Sequence, residues 1–189
     1  MSNIEQNEHL IRGLLTFIGE DPNREGLIET PKRVLKAWRE MCSGYSTDIP
    51  SLFKTFEDGA ENYNEMIIVD NIPFNSACEH HMLGFSGTVD IAYIPNGKII
   101  GLSKFARITE AFARRLQVQE RMTSQIANAI EEHLQPKGVA VVIRAEHSCM
   151  SCRGSKTHGT LTTTSSMRGV FLDNANNARM EFLNLTNRR

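Results

Sequence analysis

Phe85-Ser86-Gly87-Thr88-Val89-Asp90-Ile91-Ala92-Tyr93 is the stretch on which the fold turns. Phe85, Gly87, Val89, Ile91 and Tyr93 alternate with Ser86, Thr88, Asp90 and Ala92, the period of two that a strand imposes on its faces. Upstream, residues 66–74 form another apolar, β-like run, and downstream Pro95-Asn96-Gly97 turns the chain. The period then changes. Phe105, Ile108, Phe112 and Leu116 mark the apolar face of one helix, and Met122, Ile126, Ile130 and Leu134 that of a second. Pro136-Lys137-Gly138 breaks the run. Val139, Val141, Ile143 and Ala145 alternate again, in a strand ending at His147. Thr160–Leu172 reads as a fourth strand and Asn176–Leu185 as a terminal helix. The order strand, strand, helix, helix, strand, strand predicts an α+β domain, an antiparallel sheet with the helix pair on one face. A small sheet of this kind has open edges, which an oligomer could pair.

Working back toward the N-terminus, residues 4–18 carry Ile11, Leu14, Leu15 and Ile18 at helical spacing. After the loop at 21–27, Thr30 is expected as N-cap and Pro31 as the first helical residue of a second helix. Its apolar face is Val34, Leu35, Trp38 and Met41, and it stops near Gly44. Residues 45–64 lack a clear period and read as loop with a short helix. The expected organisation is one domain over 1–189, with a helical part at 1–60 and a sheet-and-helix core at 61–189.

Composition narrows the function classes. The chain's 189 residues, 40% hydrophobic, can bury a single core. The net charge of −1 offers no global attraction to nucleic acid or to an anionic membrane. Any anion site must therefore come from locally grouped Lys and Arg. No apolar segment approaches the roughly 20 residues of a membrane span. The N-terminus has no basic stretch followed by an apolar run, so a cytoplasmic location is expected. In that setting Cys42, Cys78, Cys149 and Cys152 read as thiols or metal ligands rather than disulfides.

Cys78-Glu79-His80-His81 is the most informative cluster. A Cys and a His three apart in a turn can both reach one ion. Cys149 lies two residues beyond His147, so on a continuing strand the two would share a face. Two thiolates and an imidazole suit zinc, and three protein ligands leave a fourth position for water, the pattern of a catalytic site. Three other readings stand beside it: buried core thiols, a closed structural site with Cys152 as fourth ligand, and a redox dithiol at Cys149 and Cys152. Cys42, beside an apolar helix face, reads as core. His80 and His147, next to the ligands, can move protons near neutral pH.

Several separated segments resemble GTP cyclohydrolase I, in order and over nearly the whole chain. They are Cys78-Glu79-His80-His81, Gly101-Leu102-Ser103-Lys104, Gln117-Val118-Gln119-Glu120-Arg121 with Thr123, and His147-Ser148-Cys149-Met150 with Arg153-Gly154. Thr30-Pro31-Lys32-Arg33 and Glu181-Phe182-Leu183 match as well. The resemblance implies the tunnelling fold, a toroidal homodecamer with sites at subunit boundaries, and a zinc-dependent hydrolase. The implied reaction takes GTP and water to formate and 7,8-dihydroneopterin triphosphate, an entry step to pterin and folate-type synthesis. It implies Cys78, His81 and Cys149 as zinc ligands, His147 as proton donor to purine N7, and His80 and Ser103 as helpers in ring opening and ribose rearrangement. Glu120 would accept hydrogen bonds from guanine N1–H and the 2-amino group, with Gln119 lining that pocket. Lys104, Arg107, Arg153, Arg33 and Lys36 would hold the triphosphate. Cys152 and Ser155 depart from the family pattern. A zinc-stabilised binding module and a related deazapurine nitrile reductase remain the competing classes. The reductase uses a nucleophilic cysteine and NADPH without this metal set.

Overall fold

The computed structural model describes residues 3–57, 59–173 and 177–187. The chain divides into two compact units, Met1–Ser43 and Gly44–Arg189. The first is built on α1 (Asn3–Phe17) and α2 (Thr30–Met41), which pack together. Of the expected α1 stripe only Leu15 is buried, and Ile18 lies in the turn beyond the helix. The expected cap at Thr30 is off by one: Glu29 precedes the helix without a side-chain cap bond, and Thr30 is already helical. Pro31 still falls in the first turn, where a missing N–H costs no helical bond.

The second unit carries the sheet. Its elements are β1 (Thr55–Phe56), β2 (Ile67–Cys78), β3 (Gly84–Ile94), β4 (Ile99–Ile100), α3 (Ser103–Ala113), β5 (Leu116–Gln117) and α4 (Gln119–Leu134). Then come β6 (Gly138–His147), α5 (Ser148–Ser151), β7 (Thr162–Gly169) and α6 (Ala178–Thr186). The five-stranded sheet runs β5-β2-β3-β6-β7, with β1 and β4 paired separately. Neighbours are antiparallel except β5, which lies parallel to β2. The expected α+β order is therefore present, with β5 as an addition.

Alternation along the strands sorts two cores. Val89, Ile91, Tyr93, Val139, Val141, Ile143 and Ala145 pack with Phe105, Ile108, Met122, Ile126 and Ile130 of the helix pair. The intervening Ala92, Ala140 and Val142 meet Met167, Phe171 and Phe182 on the other face, so α6 covers part of it. That second layer explains why β6 is apolar at consecutive positions, the pattern of a strand buried on both faces.

Three expectations are corrected here. The run at 66–74 continues to Cys78, through a bulge between Val69 and Ile72. Asn71 there has φ 56°, and its N–H donates to Asp90 Oδ1 at 2.7 Å, while Asp90 also pairs with Arg144. Leu116 leaves the helical stripe: α3 ends at Ala113, and Leu116 pairs with Ala77. A helical period fits Leu116 equally well, but its N–H is taken by the Tyr45 hydroxyl at 3.1 Å. β7 is shorter than Thr160–Leu172, because Gly169 (φ 55°) turns the chain over Lys137 and Gly138. The terminal helix begins at Ala178; the expected start at Asn176 lies outside the described residues.

Candidate metal centre and purine cleft

β2 delivers Cys78 to the end of the sheet, and the chain reverses there before β3. Cys78 closes the turn with both backbone groups, its N–H donating to Leu83 O and its carbonyl accepting from Met82 N–H, each at 2.8 Å. Met82 takes the left-handed conformation, φ 55°, that so tight a reversal needs. Glu79 N–H donates to Gln117 O, 3.0 Å away on β5. The Glu79 carboxylate takes two 2.6 Å bonds from the Arg121 guanidinium, a fork that ties the turn to α4. So β5, which periodicity concealed, brings the start of α4 beside Cys78.

Cys149 arrives from the opposite side. β6 ends at His147, and Cys149 lies on the short α5, not on the strand. The expectation of a shared strand face is therefore replaced by a helical turn, with His147 as its N-cap residue. The turn still succeeds: ligand atoms of Cys78, His81 and Cys149 all lie within 4.8 Å of one another. A tetrahedral ion with bonds of about 2.0–2.3 Å needs separations of about 3.5–3.8 Å. A small inward movement completes the set, and two sulfurs with one imidazole are the donors zinc favours. Cys152, exposed, is not among the clustered residues. Burial pushes the Cys149 thiol up, and the neighbouring Cys78 adds to this, while Arg153 pulls it down. Cys42, expected in the core, is half-buried and belongs to neither core cluster, and partial burial raises its thiol.

The cluster opens on a cleft lined by Cys78, His80, Gln119, Glu120, His147 and Cys149, with Gln117, Val118, Met150 and Thr162 completing the wall. His147 stacks flat on Phe85, ring centres 4.6 Å apart and 4° from parallel. The two residues are register partners of β6 and β3. Burial lowers the His147 pKa and the Glu120 charge partly restores it. Glu120 sits exposed in the first turn of α4. Gln119 is buried behind it, bonded to His147 Nε2 at 2.8 Å.

The expected cations fall elsewhere. Ser103, Lys104 and Arg107 occupy the first turns of α3, and Arg153 lies exposed beyond α5; none lines this cleft. Arg33 and Lys36 belong to α2 of the first unit. Val118, Met150 and Thr162 were not legible as cleft residues, since nothing in an apolar or hydroxyl side chain marks it as lining.

The fold and cluster together define an α+β protein in which a Cys–His–Cys set able to hold a metal ion opens on a cleft. A family model described as GTP cyclohydrolase I matches residues 7–187. A "GTP cyclohydrolase 1" of Janthinobacterium sp. is 54% identical over 174 residues, 92% of this chain and 87% of that protein. Proteins of the same name from Rickettsia bellii and Campylobacter concisus are each 50% identical, covering 98% and 97% of this chain and 96% and 95% of their own. The chain belongs to the GTP cyclohydrolase I family, and its sheet and helix pair follow the strand and helix order expected from the sequence.

Proposed function

We propose that this chain hydrolyses GTP to formate and 7,8-dihydroneopterin triphosphate, with zinc held by Cys78, His81 and Cys149. One observation carries the reading: in a chain of this family, the ligand cluster opens on the same cleft as Glu120 and His147. Zinc, when bound, supplies a Lewis acid that lowers the pKa of bound water to about 7.

The chain's own groups do the rest. Glu120 presents a planar acceptor pair to the N1–H and 2-amino donors of guanine, which orients the purine. His147, stacked on Phe85, delivers the proton to N7. His80 and Ser103 assist ring opening and ribose rearrangement. Lys104, Arg107 and Arg153, with Arg33 and Lys36, neutralise the triphosphate. Lys104 and Arg107 do not line the cleft wall, which supports sites completed by a neighbouring copy. β7 leaves an edge unpaired within the described residues, which supports edge-to-edge assembly. We assign the assembly as a homodecamer, testable by light scattering against ten times the 21.3 kDa chain. No helix among the described residues is long and apolar enough to cross a membrane; we place the enzyme in the cytoplasm, at the entry to pterin and folate-type synthesis.

The test is incubation with GTP, followed by formate assay and by pterin fluorescence after oxidation, with and without chelator. Metal-loaded protein yielding neither product overturns the reading.

A further inference from the structure

Gln119 is 1% exposed at the start of α4, and the direction of each of its hydrogen bonds follows from its partner. Its Nε2 lies 3.1 Å from the Ile143 carbonyl on β6 and 2.9 Å from the Thr162 carbonyl on β7. Carbonyls only accept, so the amide nitrogen faces them and cannot exchange places with Oε1. A third contact joins Nε2 to Thr164 Oγ1 at 3.1 Å. Thr123 Oγ1 donates to the Gln119 backbone carbonyl at 2.7 Å. The 2.7 Å contact between the Thr123 and Thr164 hydroxyls therefore has Thr164 as donor. Thr164 is left to accept from Gln119, and the loop of protons closes in one sense.

The consequence falls on His147. Its Nε2 meets Gln119 Oε1 at 2.8 Å, an atom that only accepts, so Nε2 must carry the ring proton. The other tautomer would set lone pair against lone pair. We propose that Gln119, locked by Thr164 and Thr123, is a positioning residue that keeps a ring proton on His147 Nε2 and leaves Nδ1 as the nitrogen that gains and loses a proton. Stacking on Phe85 fixes the plane of the same ring. The inference rests on His147 as the proton-transfer group of the reaction proposed above, and replaces a purine contact for the Gln119 side chain with a contact to that group.

The test uses zinc-loaded, full-length protein with 15N-labelled histidine. The His147 signals are those that vanish in His147→Asn. The expected wild-type spectrum has an N–H-type Nε2 and a lone-pair-type Nδ1; the reverse assignment overturns the proposal without any variant having to fold. Gln119→Met keeps length and loses the acceptor. It should lower kcat about tenfold, the effect of roughly one hydrogen bond, with KM for GTP and zinc content unchanged. A rise in KM alone would instead make Gln119 a purine contact. Thr164→Val should lower kcat several-fold and mix the tautomers, and Thr164→Ser should restore both. Equal losses in the two would reduce Thr164 to packing and overturn its part. Absence of formate from wild type would defeat the GTP reading, while the tautomer spectrum would still decide this one.

Discussion

At the scale of the residue, the site's chemistry depends on which atoms reach the ion. Cys149 is in the cluster and Cys152, three residues on, is exposed at the end of the same turn. Cys149→Ser should abolish tight zinc binding and turnover, whereas Cys152→Ser should leave zinc stoichiometry and formate release near wild type. Comparable zinc loss in both would mean a closed, four-ligand site. Glu120→Gln exchanges one carboxylate acceptor for a donor amide. It should lower kcat/KM by one to two decades, about 1.5–3 kcal/mol, with zinc content intact. Kinetics equal to wild type would remove Glu120 from the purine site. The thiols also set a pH dependence. Zinc takes thiolate, and Cys149 in the metal-free protein holds its proton above the ordinary range. Zinc affinity should therefore rise with pH across about 6 to 8, with proton release on binding. A chelator-competition titration giving a pH-independent affinity would contradict this.

At the scale of the element, two strands place the centre, and they differ in how far sequence disclosed them. β6 was legible as an apolar, β-branched run after the break at Pro136-Lys137-Gly138, with Val139, Val141, Ile143 and Ala145 at every second position. β5 was not: two residues carry no period, and Leu116 satisfies the stripe of the preceding helix. Only its pairing with Ala77 and Cys78 reveals it. The short α5 was hidden for a similar reason, since four residues cannot display a helical repeat. Gly87 shows how closely the elements carrying the site approach. A Cβ there would lie 1.9 Å from the Arg144 carbonyl of β6. Gly87→Ala should force β3 and β6 apart and cost about 1–3 kcal/mol or more. A lower urea midpoint at unchanged slope would show it, and an unshifted midpoint would refute it.

At the scale of the whole molecule, the sheet and its helix pair bury a core that needs no ion. Phe105, Ile108, Met122 and Ile126 are fully buried against Val89, Ile143 and Val141. Chelation should thus stop formate release while far-UV circular dichroism persists, and zinc should restore activity. Unfolding on chelation would instead mark a metal-stabilised module. Periodicity and residue chemistry are local properties, so the α+β order, the helix pair and the residues of the Cys–His–Cys cluster were legible without coordinates. The sequence also carried the family, through motifs whose order needs no coordinates. Only the tertiary structure decided that Cys149 reaches the cluster from a helical turn, that β5 sets α4 beside Cys78, and that Gln119 turns toward His147. Each of these depends on contacts between residues tens of positions apart, where hydrogen-bond direction and strand register are set by partners that no local pattern names.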